Sequence, residues 1–297
     1  MKTKSVTVRV PASTSNLGSG FDTLGLALKL YNRVQVTRVA DYGLSVGLSN
    51  PEANADRVQR MLSEAASLFF RRSRRKMFGI AVKVTGDVPV GRGLGASATA
   101  RLGLVAALNE LSRARLSRQQ LLEIVSELEG HPDNASPAIF GGFTVSGPVS
   151  KTVRCLSFRV SSRLKFVTLI PRFEISTEHA RKLVPSTFSK ADAVHSLNRA
   201  ALITAAFASA NYESLRGLFD DRVHQPHRER LIPQLSRVIR AGEKASAVGG
   251  FLSGSGSAII CLTSAKPEAV AQAMQRQLPD SEVKVLTADN RGFMLEF

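Results

Sequence analysis

Cysteine is nearly absent from the sequence: two in 297 residues, Cys155 and Cys261, far apart and without metal-ligand spacing. That excludes a disulfide framework and a cysteine metal cluster, and reads as two buried thiols in a reducing cytoplasm. Long apolar runs are lacking too. Glycine or charge interrupts each of them, so no segment reads as membrane-spanning. The opening MKTKSVTVRVPAS alternates like a strand and has no apolar stretch of the kind a secretory signal requires. There is no internal repeat and no low-complexity linker. Tryptophan is missing altogether, which excludes no chemistry. Acidic residues are scarce: 24 Asp and Glu face 40 Lys and Arg, a formal net charge of +16.

What remains is an ordinary globular composition, 43% hydrophobic and 22% charged, at a length that suits two modest domains. Part of the basic excess sits in RRSRRK, Arg71 to Lys76, and the rest is dispersed. Such a field either draws nucleic acid or concentrates anionic nucleotides near a cleft. The run itself reads as a solvated basic face, without the interleaved aromatics that a single-strand platform needs.

The richest stretch is VPVGRGLGASATARLGLVAALNEL, Val88 to Leu111. Glycines at 91, 93 and 95 permit backbone angles and close approaches that a Cβ forbids. The apolar segment through Leu102, Leu104, Val105, Leu108 and Leu111 predicts a helix buried on nearly every side. Its amino end leaves N–H groups without intrahelical partners and carries partial positive charge, a natural seat for phosphate. The spacing is not that of a P-loop, since no lysine follows the last glycine. Nor is it a Rossmann fingerprint, because the glycines alternate as G-x-G-x-G. A plain glycine turn before a core helix is the other reading of this stretch alone.

Around it, residues 5–11 and about 26–39 read as strands, 41–50 as a hairpin region, 54–70 as a helix and 79–85 as a strand feeding the loop. Ser117 with Gln120 gives a capping box for a helix that Gly130 and Pro132 break. A strand restarts the pattern at 164–171, and EISTEHARKLVP runs from extended chain into helix. Helices follow at 190–217, after DDRVHQPHRERLIP up to Gly242, and at 267–277. A glycine-rich strand–turn–strand spans 249–263, with further strands to Phe297. This order argues for a second α+β unit packed closely on the first. On composition, His131, Asp133 and Asn134 are turn residues, and catalysis is a second reading of them.

The loop resembles the phosphate loop of the GHMP kinases, P-x-x-x-G-L-G-S-S-A. Pro89 and Gly93-Leu94-Gly95 match, Ala96 stands at the first serine position and Ser97 at the second. VPASTSNLGSGFDTLGLALKLYN, from Val10, is similar to the opening motif of the homoserine kinases in that superfamily, with Ser19 in place of a proline. EGHPDNASPAIFGG, from Glu129, resembles their E-G-H-P-D-N-x-x-P-A-x-x-G-G. SGSGS, Ser253 to Ser257, resembles S-G-S-G-P, with Ser257 at the proline position. Each stretch is weak alone. Together, in the family's order, they cover nearly the whole chain.

The resemblance implies an α+β, two-domain GHMP kinase fold. An amino-terminal ATP-binding domain like the second domain of ribosomal protein S5 is expected over 1–162, and a ferredoxin-like domain over 163–297. It implies transfer of the ATP γ-phosphoryl group to the side-chain hydroxyl of L-homoserine, a step of threonine biosynthesis, with Mg²⁺. Pro89, Val90, Gly91, Arg92, Gly93, Leu94, Gly95, Ala96, Ser97, Ala98 and Thr99 are then the nucleotide loop. Glu127, matched to the family's helix glutamate, would hold Mg²⁺ with Ser97, and Glu123 is the fallback. Arg181 and Arg228 would take the substrate carboxylate and Asp22 the ammonium. Asn16 and Asn134 would orient the hydroxyl, His131 would shape the pocket, and Asp133 is a candidate base. A mevalonate- or shikimate-type kinase would share the loop, and a basic S5-like RNA-binding protein would explain the charge alone. A homodimer is compatible with the sequence and not specified by it.

Overall fold

The structure is a computed structural model and describes residues 4–48 and 54–296. The chain opens with a long antiparallel pair, β1 (Ser5–Ser15) and β2 (Leu24–Val39). Val6, Val8 and Val10 alternate inward as expected. A register shift after Pro11 then lets the strand continue through Ala12–Ser15, a stretch that composition alone reads as loop. Those hydroxyl residues are buried, and long-range hydrogen bonds satisfy them in place of water.

β3 (Leu44–Leu48) leads through α1 (Ala55–Ser73) to β4 (Gly79–Gly86). β3 runs parallel to β4 instead of folding back on β2, which corrects the hairpin expected over 41–50; positions 49 and 50 lie outside the described residues. A parallel pair needs a crossover, and α1 supplies it. The helix α2 (Ala96–Leu111) follows the glycine loop and is buried almost throughout. It presses so closely on β2 that a Cβ at Gly103 would meet Val34 Cγ2 at 2.4 Å. Next come α3 (Arg118–Glu129), with the capping box of Ser117 and Gln120 in place, α4 (Ala135–Phe140), β5 (Phe143–Val149) and β6 (Thr152–Phe158).

The pattern restarts at β7 (Lys165–Pro171), followed by α5 (Thr177–Lys182) and α6 (Lys190–Ala208). The helix expected to reach 217 stops at Ala208, because Ser209 turns its hydroxyl back onto the Ala205 carbonyl and Ala210 adopts a left-handed φ of 54°. The remaining elements are α7 (Gln225–Arg228), α8 (Leu235–Lys244), β8 (Gly249–Leu252), β9 (Ile259–Thr263), α9 (Pro267–Gln275), β10 (Ser281–Leu286) and β11 (Met294–Glu296). Position 297, at the end of the last expected strand, lies outside the described residues.

Two sheets result. One has the order β11-β1-β2-β4-β3, with β5 paired to β2 and β6 to β5; the other is antiparallel throughout, β10-β7-β9-β8. The chain's last strand thus returns to the first sheet, against β1. One apolar cluster lies between the first sheet and α1, α2 and α3; another lies beneath α8 and α9. A third joins the two halves, with Leu24, Leu26 and Leu28 of β2 meeting Phe166, Phe207, Phe251 and Ile260. Cys261 is buried and Cys155 half-buried, both free. Among the described residues, no helix is long and apolar enough to cross a membrane. Arg71 and Arg72 close α1 on the surface, where Arg72 pairs with Glu127, so the basic run is a solvated face.

Candidate active site

A cavity of about 480 Å³ opens where the glycine loop, the β1–β2 connection, the segment after α3 and the second sheet's SGSGS turn converge. The loop's shape follows from its three glycines, with φ of 66°, 72° and 72° at Gly91, Gly93 and Gly95. Its carbonyls are engaged on the protein side. Gly91 O accepts from Ile175 N (3.0 Å), Arg92 O from Ala258 N (3.0 Å), Gly93 O from Ser253 Oγ (2.7 Å) and Leu94 O from Ser13 N (3.2 Å). The first turn of α2 has no side-chain cap, so its leading N–H groups offer an anion seat of the kind left-handed turns and helix starts make. A Cβ at Gly93 would lie 2.0 Å from Ser253 O, and one at Gly95 2.2 Å from Ser13 Oγ.

The loop's residues divide. Pro89, Val90 and Gly91 to Ser97 line the cavity; Ala98 and Thr99 sit behind it. Thr99 Oγ1 accepts from Asn32 Nδ2 (2.9 Å) and donates to Ala96 O (2.8 Å), so its hydroxyl is spent on structure. Arg92 offers only backbone. Its guanidinium binds the carbonyls of Pro171 (2.8 Å), Val90 (2.9 Å) and Arg172 and pairs with Glu174 (3.3 Å), fastening the loop to the end of β7.

The carboxylate expected to hold the metal does not reach the cavity. Glu127 points outward to Arg72 and does not line the cavity, and neither does Glu123. Glu129 does. Its Oε2 accepts from Ser97 Oγ at 2.9 Å and its Oε1 pairs with Arg101 at 2.6 Å, beside the start of α2. Ser97 and Glu129 together offer hard oxygen donors of the kind a divalent cation takes.

Across the cavity, the β1–β2 connection carries Asn16 and Asp22, both with left-handed backbone, φ 71° and 53°. Asn16 Oδ1 accepts from Asp22 N (3.0 Å) and its Nδ2 donates to Gly254 O (3.2 Å), so its amide shapes the loop before it can orient any ligand. Asn134 accepts from Ser13 Oγ (2.9 Å) and donates to Ser15 Oγ (3.1 Å). Where the family pattern has prolines, Ser19 Oγ donates to Asp220 O (2.9 Å) and Ser257 Oγ to Phe173 O (2.6 Å), each tying a loop to a neighbour.

Arg181 and Asp22, expected to hold opposite ends of one substrate, hold each other. Arg181 Nη1 and Nη2 reach Asp22 Oδ2 and Oδ1 at 3.1 and 2.6 Å, in a half-exposed, two-pronged pair. Arg228, only 2% exposed, lies beside them. Burial and the Arg181 charge push its guanidinium down to about 10, still cationic at neutral pH. His131 donates through Nδ1 to the buried Asp133 carboxylate, which also accepts from Asn134. Burial works against the imidazolium, but the Asp133 hydrogen bond and charge outweigh it and raise the pKa. Asp22, His131 and Asp133 bring their polar atoms within 4.8 Å of one another. Phe21 and His224, which nothing in the motif reading singled out, back the two arginines.

Known proteins resemble this chain in sequence and in fold. Residues 59–142 match the model of the GHMP kinase N-terminal domain, and 200–280 that of the C-terminal domain. The homoserine kinase of Caldicellulosiruptor bescii is 36% identical over 97% of this chain and 95% of its own. That of Clostridium beijerinckii is 36% identical over 97% of both. The crystal structure of homoserine kinase from Cytophaga hutchinsonii superimposes with a TM-score of 0.89 at 24% identity, covering 100% of this chain and 98% of that one. Matched by both domain models and 36% identical to curated homoserine kinases over 97% of its length, this chain belongs to the GHMP kinases, in their homoserine kinase family.

Proposed function

We propose that the protein phosphorylates the side-chain hydroxyl of L-homoserine with ATP. The observation that carries this is a shared wall: one cavity is lined by the carbonyl-anchored loop and by Asp22, His131, Asn134, Arg181 and Arg228. The triphosphate lies on the N–H groups of residues 91–97 and the start of α2. Ser97 and Glu129 are the residues that would hold Mg²⁺, which when bound neutralises charge on the transferring phosphoryl group.

The zwitterion replaces an ion pair already present. Its carboxylate takes Arg181 and Arg228, its ammonium takes Asp22, and the hydroxyl is thereby aimed at the nucleotide. Phosphoryl transfer through a loose transition state asks mainly for alignment and little for a base. The atom available for the hydroxyl proton is His131 Nε2, because Asp133 fixes Nδ1 as the donor. Asp133 therefore acts through His131, and Asn134 holds the β1 hydroxyls that frame the pocket. The nucleotide half is formed by 1–162 with the returning tail, and the second half, from 163, supplies the arginines.

Mevalonate and shikimate lack an ammonium for Asp22, and an RNA-binding role gives no reason for the loop and the Arg181–Asp22 pair to face each other. A coupled ADP-release assay with homoserine, mevalonate and shikimate tests the reading. Homoserine-dependent release is expected, and turnover of either competitor without homoserine turnover overturns it.

A further inference from the structure

Arg228 is held in one orientation by an unusually complete set of partners. Its Nε donates to Ala180 O (3.4 Å); Nη1 donates to Gly254 O (2.9 Å) and to His224 Nδ1 (3.3 Å). Nη2 has no hydrogen-bond partner among the described residues, and Arg228 lines the cavity, so this is the edge left for a ligand. His224 is fully buried, and its hydrogen bonds are decided by its neighbours. Gly18 O, 2.8 Å from Nε2, can only accept, so Nε2 carries the hydrogen. The guanidinium can only donate, so Nδ1 is bare. One neutral tautomer satisfies both.

The ring does more than bond. It stacks on Phe21, centroids 5.3 Å apart and 25° between planes. Phe21 in turn lies against both guanidinium carbons, 5.3 Å from Arg228 and 5.5 Å from Arg181. Asp221 closes the back of the cluster. It accepts from the backbone N–H of His224 (2.8 Å) and of Gln225 (2.7 Å), fixing the start of α7.

We propose that His224, stacked on Phe21, is a positioning residue that sets the carboxylate-binding edge of Arg228. It rests on the reading of Arg228 as a carboxylate ligand, and it adds a reason for specificity. A guanidinium with only Nη2 open meets a carboxylate in one place, whereas an untethered one would follow many anions. Burial, followed by the opposing pull of Asp221 and the push of Arg228, keeps the imidazole neutral, down at about 4, so the acceptor on Nδ1 persists at working pH. The other charges facing the ring's surroundings are Asp22 and Arg181, through Phe21.

The test compares the natural protein with His224→Phe, which keeps a stacking ring and removes both hydrogen bonds. Phe21→Leu, at a half-buried position, serves as the second variant should the first not fold. KM for homoserine should rise about tenfold in each, the size of one charge-assisted hydrogen bond or cation–π contact. KM for ATP, and for 3-aminopropanol, which is homoserine without its carboxylate, should stay within about twofold. Equal losses for all three, or an unchanged homoserine KM, overturn the proposal. A second readout needs no substrate: by NMR, rotation about the Arg228 Cζ–Nη1 bond should be slow in the natural protein and fast in the variant. Should the natural protein release no ADP with homoserine, the substrate reading alone fails, and the rotation measurement still decides the role of His224: fast rotation in the natural protein overturns it.

Discussion

Removing Arg181 should harm homoserine and help a substrate that lacks the carboxylate. The reason is the ion pair with Asp22, which a zwitterion must open before it can bind. The side chains are 37% and 32% exposed, so their attraction is screened, and an exposed pair of this kind is worth about 0.5–1 kcal/mol. A carboxylate hydrogen-bonded to Arg181 gains about 1.5–3 kcal/mol. The difference, roughly 1–2 kcal/mol, is what homoserine loses in Arg181→Ala, a rise in KM of about five- to thirtyfold. 3-Aminopropanol gains nothing from Arg181 and must displace it to bring its ammonium to Asp22. For this substrate the same variant removes an obstacle worth the ion pair alone, and KM should fall about two- to fivefold.

The assay is steady-state ADP release at saturating ATP, with both substrates and four proteins: natural, Arg181→Ala, Asp22→Asn and the double variant. In the cycle, the effect of Arg181→Ala on 3-aminopropanol should vanish once Asp22 is also neutral. A loss for 3-aminopropanol comparable to that for homoserine would refute the exchange of partners and make Arg181 a structural or nucleotide contact.

Glu129→Gln should lower kcat about a hundredfold with little change in homoserine KM, while Glu127→Gln, which cuts only a surface pair with Arg72, should stay within about twofold; steady-state kinetics with varied Mg²⁺ checks both. Because Asp133 raises the His131 pKa, the acid limb of kcat/KM should have its midpoint above the ordinary histidine value, with activity falling as pH drops through it and the imidazole takes up a proton. In Asp133→Asn the hydrogen bond and charge that raise it are lost while burial, the Arg181 charge and the Asp22 charge remain, so the limb should move to lower pH, and an unmoved limb would show that His131 does not set it.

Local pattern carried much of the fold. Valine alternation located the start of β1, the capping box located α3, and the glycine loop announced a buried α2. Where pattern failed, the deciding interaction was distant in sequence. Ala12–Ser15 has no hydrophobic alternation; it is a strand because Asn134 and Ser253 satisfy its hydroxyls from more than a hundred positions away in the chain. The strand character of β3 was legible, but its choice of β4 over β2 depends on α1 folding between them. The break in α6 at Ala210 and the return of β11 to β1 likewise depend on backbone geometry and packing that composition does not record.

Which glutamate of α3 faces the cavity is different, because the sequence held the information. Successive helical residues turn by about 100°, so Glu127 and Glu129 are about 200° apart on α3 and cannot serve the same side. Leu121 and Val125 mark the inner stripe, and Glu129 continues it four residues after Val125. Two glutamates precede the H-P-D-N segment, and helical phase separates the one that faces the cavity from the one that does not. The position of the helix end adds to this. Glu129 is the last residue of α3, with Gly130 left-handed behind it, so its side chain stands where the chain turns from α3 to His131. A carboxylate there can reach Ser97 and Arg101 of α2 at once, whereas Glu127 and Glu123, two and six residues earlier on the other side of α3, do not line the cavity.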